Sequence, residues 1–510
     1  MGVLFSFCLL ILAIIILRLH TLDEPLERDL TTYAIIGNGI FHSKIPYVDL
    51  WDHKPPLIYM IYGIFDLIFG MNKWSIFILN ILVNIGILFA IYTAVKQIGN
   101  KVYAIWASIG WTIISGTMSL QANQPNTEVF LNLCMALLAV FLLSALYQKK
   151  SSKFVIWVGL IIGAATLIKY IIIIPIFFIM LIYFLFEKEV SLKERLYQPL
   201  KMLLWTLLPW GIFVAYFGLQ GALPEFYNAV IKYNQYYAEI NNSVDGSKFI
   251  IHTGIFNYIE FLVPSLVTIM AILLIMLAVK KYRPAALLSL VWLLLTPLTI
   301  SLPGRDFPHY YQLWLPAYCI AFGIALNIFS LWKKPYSIYI ASTLASVLMV
   351  SLAVYEYPSY KLSADEWSLH KYGDRQFVQT KKTGLALRNF LQPDESFFQW
   401  GDESNLYWYS QKSPLTPVLH ISHIAGSPAA DSLRKKIIDN LAQKPADLLV
   451  ISKYMWQRNQ SDPTLQEISQ QYVPVSEAYS VPGFYILPRL DKPFINRNVY
   501  KELILPLNTN

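Results

Sequence analysis

Long apolar runs such as Leu9–Leu17, Ile76–Ala94 and Ile171–Phe186 crowd the first 355 positions of the chain, with short polar segments between them. The remainder mixes polar and apolar residues on a short period. A helix needs about 20 apolar residues to cross a hydrocarbon core of about 30 Å. By that measure the runs predict about eleven spans. They lie near Val3–Ile16, Trp74–Val95, Val102–Met118, Val129–Tyr147, Phe154–Ile168, Ile171–Phe186, Leu203–Leu219, Phe256–Val279, Ala285–Ile300, Gln312–Ser330 and Ser337–Tyr355. The stretch Leu57–Phe69, at about 13 residues, is too short for a span. It reads as an interfacial or re-entrant helix after a long outer loop, residues 19–56.

Hydrophobic residues make up 56% of the chain and charged residues only 14%, which excludes an ordinary soluble domain. The net charge of +8 is carried by Lys and Arg clustered in loops, not on one face, so it is a topology signal and not a nucleic-acid signature. Lys96/Lys101, Lys149/Lys150/Lys153, Lys188/Lys193/Arg195/Lys201, Lys280/Lys281/Arg283 and Lys333/Lys334 fall on one side if the chain starts inside and crosses eleven times. Basic residues stay cytoplasmic, so the loops poor in Lys and Arg are outside. Cys8, Cys134 and Cys319 all sit in apolar stretches and are not placed for a disulfide. The N-terminal run lacks a basic lead and a small-residue cleavage site and is read as the first span.

The same count puts residues 356–510 outside, beyond a membrane part of residues 1–355. Ser396–Trp400, Leu448–Ser452 and Phe484–Leu487 have strand patterns, and Asp431–Gln443 and Thr464–Gln471 helical ones, so a small extracytoplasmic α/β domain is expected. The tyrosine-rich segment Phe226–Tyr237 reads as an amphipathic interfacial helix.

Four polar clusters lie beside predicted spans, and the charge count puts all of them outside. They are Glu27-Arg28-Asp29 with Tyr33-Ala34, Trp51-Asp52-His53-Lys54-Pro55-Pro56-Leu57, Asn123-Gln124-Pro125-Asn126-Thr127-Glu128, and Gly304-Arg305-Asp306-Phe307-Pro308-His309-Tyr310-Tyr311. In these residues the sequence resembles the membrane-embedded glycosyltransferases of the GT-C class, namely bacterial relatives of the protein O-mannosyltransferases and of the aminoarabinose transferase acting on lipid A. Their first outer loop carries D-E-x-x-Y-A and then K-P-P-L. This chain has Asp29-Leu30-Thr31-Thr32-Tyr33-Ala34 and then Lys54-Pro55-Pro56-Leu57, with Leu30 in place of the second acid. Asp23-Glu24 is a competing acidic pair but lacks the tyrosine and alanine at that spacing. The resemblance continues through Asn126-Thr127-Glu128 and His309-Tyr310-Tyr311, and more loosely through Gln399-Trp400-Gly401 and Leu406-Tyr407.

The resemblance implies a polytopic α-helical GT-C fold, a polyprenyl-phosphate sugar donor and a multi-pass location in the cytoplasmic membrane with the site on its outer side. Transfer from such a donor removes a proton from the acceptor while negative charge develops on the departing phosphate. Asp29 is then the general base, with direct inverting attack on the anomeric carbon. Lys54 is the first candidate to hold the phosphate, since an ammonium is a compact charge, and Lys169, Arg305, His309 and Tyr310 are further candidates. Glu128, Asn126, Tyr33 and Tyr59 are candidates for sugar or acceptor binding. Lys169 lies between two apolar runs, where a charge costs about 2.5–3.5 kcal/mol unless it pairs or snorkels.

Each of these residues also has an ordinary structural use. Asp29 and Glu128 suit helix starts, Lys54 and Lys169 suit snorkelling, and His309 to Tyr311 suit an aromatic belt. Asp49, Asp52 and His53 hint at a metal, but no further ligands are evident, so neither metal nor cofactor is expected. The partners expected are membrane lipids, the lipid-linked sugar and a glycan, lipid or protein acceptor, with no nucleic acid. A transporter of lipid-linked sugars is the alternative, although no inverted repeat is apparent.

Overall fold

The structure, a computed structural model, describes residues 2–148, 154–186, 191–244, 257–303, 305, 307–492, 503, 504 and 507. Lys149, Lys150, Lys153 and Lys188 of the basic clusters, and Gly304 and Asp306 of the fourth polar cluster, lie outside these residues, as does Phe256 at the start of the eighth expected span.

All eleven apolar runs lie on helices among the described residues. Seven of these helices are long and apolar enough to cross a membrane. The outer ones are α1 (Gly2–Leu19) and the helix segment Tyr197–Leu219, only 17% and 11% of whose apolar windows are buried, while the segment Pro308–Trp332 is 83% buried and central. Four runs expected as spans form shorter apolar helices. The run from Val102, for example, stops at Ile114, where Ser115 to Thr117 turn the chain out of the helix.

The outer loop is itself helical. After α1 the chain forms α2 (Arg28–Phe41), turns through residues 42–56, and forms α3 (Leu57–Phe69). The helix α3 buries Ile58, Tyr59, Tyr62, Gly63 and Asp66 and exposes Ile64, Leu67 and Ile68, as suits a helix lying at an interface. The two helices touch backbone to backbone at Gly37 and Gly63. A Cβ at either glycine would collide with the main chain of the other helix, so only glycine permits this approach. This contact fixes the start of α3 relative to α2.

The next helices, α4 (Lys73–Lys96) and α5 (Lys101–Ile114), are capped by Asn72 and Asn100, whose side chains accept from Trp74 N and Val102 N at 2.9 Å each. Then come α6 (Thr127–Gln148) and α7 (Phe154–Thr166). Between α7 and α8 (Ile173–Phe186) the helix breaks at Lys169, which has extended backbone. Leu57 N donates to Leu167 O across 3.2 Å, which ties this break to the segment after Lys54. The tyrosine-rich segment forms the expected helix, running from Leu223 to Val244 with a wide turn over Asn228–Lys232.

Beyond the last long helix (Ser337–Glu356), strands β1 (Phe397–Trp400), β2 (Leu448–Ser452), β3 (Tyr479–Val481) and β4 (Phe484–Pro488) form one sheet in the order β1-β2-β4-β3. β1 and β2 are parallel, with Phe397 opposite Leu448 and Trp400 opposite Ile451. Their crossover carries the helices Asn405–Ser410 and Ala430–Gln443, and the other two strand pairs are antiparallel. The three strands and two helices expected from the pattern are present. β3 escaped it because only three residues pair and just one of them, Val481, is buried.

Candidate active site

The start of α2, the loop before α3, the turn before α6, the α7–α8 break, the tyrosine-rich helix and the segment 305–310 converge with the C-terminal sheet on one cavity of about 1080 Å³. Each of the four polar clusters contributes to its lining, through Asp29, Lys54, Asn126 and His309 among others. Lys169, Arg305 and Tyr310 line it as well.

Asp29 lies in the first turn of α2, where the positive end of a helix favours a carboxylate. It does not cap the helix, since Glu27 holds the cap position. Among the described residues, the Asp29 side chain makes no hydrogen bond or ion pair, which leaves both oxygens available to the cavity. Glu27 faces the same space and accepts from Asn126 Nδ2 at 3.3 Å. Burial, with the nearby charge of Asp29, pushes the Glu27 carboxyl up to about 8. A carboxyl raised in the folded state holds its proton there while the unfolded chain has lost it. Its contribution to stability is therefore complete below 4.5 and is lost as pH rises to about 8. Thermal unfolding in detergent is expected to show the wild type losing more stability than Glu27→Gln across that interval. Parallel curves would mean that Glu27 is already ionised.

Lys54 is held by its backbone. Its carbonyl accepts from Tyr47 OH at 2.8 Å and from Tyr59 OH at 3.3 Å, and Tyr59 OH also donates to Asp52 Oδ2 at 2.8 Å. Tyr47 sits at φ 69°, a left-handed conformation that strains a residue with a Cβ and that this network sustains. The Lys54 ammonium donates to His53 Nε2 at 3.2 Å, and among the described residues no carboxylate pairs with it. Burial works to lower its pKa, but Asp29 and Asp52 outweigh burial and hold it above the ordinary value, so it is charged.

Lys169 is placed differently. Its Nζ lies 2.7 Å from Glu128 Oε1 and 3.7 Å from the centre of the Tyr310 ring. Glu128 is fully buried and is the counter-charge that lets a lysine sit at this depth. His309 Nδ1 contacts Gln121 Oε1 at 3.1 Å, and exposed Arg305 lies 5.5 Å over the Tyr237 ring at the cavity edge.

Three residues expected at the sugar or acceptor do not line the cavity. Glu128, Tyr33 and Tyr59 are fully buried behind the cavity wall and orient residues that do reach it. Glu128 pairs with Lys169, Tyr33 OH donates to Asn126 Oδ1 at 3.3 Å, and Tyr59 braces Asp52. In their place the structure brings Tyr233, Tyr236 and Tyr237 of the tyrosine-rich helix, and Tyr372, Phe377, Asp402, Glu403, His420 and His423 of the C-terminal part.

His423 also changes the metal question. Asp52, His53 and His423 offer a carboxylate oxygen and two imidazole nitrogens lying within 4.8 Å of one another. Among the described residues the buried His423 Nδ1 has no hydrogen-bond partner and His53 Nδ1 lies 3.2 Å from Asp52 Oδ1, while burial pushes both rings down and so favours the neutral form that metal ligation requires. These residues fit a divalent cation. Asp49, the other acid considered, instead accepts from Ile45 N at 2.7 Å within its own turn.

Residues 53–213, a segment that contains Lys54 and Lys169, match the model of the dolichyl-phosphate-mannose-protein mannosyltransferase family. No curated protein matches the chain in sequence. Among solved structures, the chain is similar to ArnT from Cupriavidus metallidurans bound to undecaprenyl phosphate, at 16% identity and a TM-score of 0.64, covering 95% of this chain and 98% of that one. It is also similar to the Archaeoglobus fulgidus oligosaccharyltransferase AglB in complex with an inhibitory peptide and a dolichol-phosphate, at 14% identity and a TM-score of 0.52, covering 96% and 75%. An Archaeoglobus fulgidus oligosaccharyltransferase in complex with Zn and sulfate matches at 14% identity and a TM-score of 0.51, covering 96% and 74%. Over residues 53–213 the chain thus matches the dolichyl-phosphate-mannose-protein mannosyltransferase model, and in fold it is similar to ArnT and AglB.

Proposed function

We propose that the chain transfers a single sugar from a polyprenyl-phosphate donor to an acceptor at the outer face of the cytoplasmic membrane. In this reading residues 1–355 form the membrane part with eleven crossings, and residues 356–510 an extracytoplasmic domain that closes the site. The observation that carries it is the meeting, in one cavity, of the Asp29 carboxylate and the Lys54 ammonium, neither of which makes an ion pair among the described residues. A base and a phosphate-binding cation are the two groups that transfer from a lipid phosphate demands.

Asp29 takes the proton from the acceptor hydroxyl or amine. The acceptor atom attacks the anomeric carbon from the face opposite the phosphate, the bond to the phosphate oxygen breaks, and the configuration inverts. Lys54 bears the charge that the leaving phosphate gains. Lys169, already paired with Glu128, adds a weaker field, with Arg305, His309 and Tyr310 around it. A divalent ion at Asp52, His53 and His423 would supply further positive charge beside Lys54. Lipid phosphates of the class bound by ArnT and AglB are the donors this reading requires. The tyrosines and the C-terminal wall supply aromatic faces and hydrogen-bonding groups suited to a glycan-bearing acceptor.

The test is to supply purified protein with labelled polyprenyl-phosphate hexose and lipid A, lipid-linked glycan or protein acceptors, and to read the product's anomeric configuration by NMR. A glycosylated acceptor with inverted configuration is expected. Labelled lipid equilibrating across liposomes with no acceptor modified would make the chain a transporter instead.

A further inference from the structure

The C-terminal part does more than wall the cavity, because it grips the backbone just before Asp29 and the side chains just after it. Asn405 Nδ2 donates to Leu26 O at 3.2 Å, and Leu26 N donates to Tyr409 OH at 2.8 Å. Ser404 Oγ donates to Arg28 O at 2.8 Å, the carbonyl that also accepts from Thr31 and Thr32 at 2.9 and 3.0 Å. Both threonine hydroxyls lie 2.9 Å from Ser404 Oγ, and Thr32 Oγ1 lies 2.7 Å from His420 Nε2. Ser404, Asn405, Thr31 and Thr32 are essentially inaccessible and His420 is 5% exposed, so water does not compete for these bonds.

The same C-terminal segment reaches the Lys54 loop. Trp51 N donates to Pro417 O at 2.8 Å, Trp51 pairs with Val418, and the His423 ring centre lies 5.1 Å from that of His53. Residues 417–423 therefore touch both the turn that carries Asp29 and the loop that carries Lys54. These two backbones belong to different elements, which also meet at the glycine crossing of α2 and α3.

We infer that Ser404 and His420, through Thr32, are positioning residues that aim Asp29 at the reacting centre, so that the C-terminal part is a component of the transfer machinery itself. The inference rests on Asp29 acting as the base. It differs from a role in acceptor recognition, which would move the KM for the acceptor and leave the chemical step alone. Misplacing a reacting group by about 1 Å costs roughly 10²-fold in rate.

The variants are Ser404→Ala and the isosteric Thr32→Val, with rates normalised to donor-binding protein so that unfolded material does not count. Both are expected to lower kcat about tenfold or more, with the KM for donor and acceptor changed less than about twofold. His420→Phe is expected to behave likewise, and His420→Gln, which keeps a polar nitrogen near the Nε2 position, to recover most of the rate. Unchanged normalised kcat in both Ser404→Ala and Thr32→Val, beside an inactive Asp29→Asn, overturns the inference and spares the function proposed above. An Asp29→Asn rate equal to wild type removes the base reading, and the inference with it.

Discussion

Asparagine at Asp29 is expected to cut sugar transfer by about 10²- to 10⁴-fold, the usual contribution of a positioned general base, while leaving donor affinity nearly unchanged. Asparagine has nearly the size of aspartate, so the first turn of α2 and its bonds to Ser404 survive the change. What is lost is the negative charge and the ability to take a proton from the acceptor. Donor affinity is not expected to fall, because the proposed base acts on the acceptor's proton, and removing a negative charge that acts on Lys54 tightens phosphate binding if it alters it at all. Acceptors that shed a proton without help, such as ammonium groups that become neutral amines at high pH, are expected to recover part of the rate. Single-turnover rates across pH would show this. A loss confined to donor affinity would instead make Asp29 a binding residue.

Methionine at Lys54 is expected to act on the other half of the site. A hydrogen bond to a charged group contributes about 1.5–3 kcal/mol, so donor affinity should fall about 10- to 150-fold, and kcat with it, because charge on the phosphate grows as the bond breaks. Lys169→Met has a smaller expected effect on donor binding, since its ammonium is already committed to Glu128 at 2.7 Å. Titration with labelled polyprenyl phosphate, without the sugar, separates the two lysines. An equal loss from both would mean that the pair with Glu128 opens when the donor arrives.

The two motifs at the centre of the site were readable in the sequence because they are local. Asp29 and Tyr33 lie four residues apart on one helix, and Lys54 precedes a Pro-Pro pair that starts the next. Leu57–Phe69 forms a 13-residue helix, as its short apolar run predicts, but length alone does not part it from Phe154–Thr166, also 13 residues, where the sequence predicts a span. Burial was not readable in the same way. Tyr33, Tyr59 and Glu128 sit next to cavity residues in sequence, but whether a helix face meets a cavity or a neighbouring helix depends on elements far along the chain. The same holds for Ser404, His420 and His423, which lie some 370 residues beyond the turns they touch. Two signals were nonetheless present. Asp52 and His53 hinted at a metal before the third ligand was in view, and the tyrosines of the segment 226–237 were unusually dense for a helix that only rests at an interface.

The central claim is that Asp29 and Lys54 serve one donor in one cavity, as base and as phosphate clamp. The most direct measurement is a paired one on purified wild type, Asp29→Asn and Lys54→Met: binding of a labelled polyprenyl-phosphate sugar, followed by single-turnover transfer to an acceptor. The account predicts that Asp29→Asn binds the donor like wild type and fails to transfer its sugar, whereas Lys54→Met binds it weakly. Transfer at the wild-type rate by both variants would contradict it.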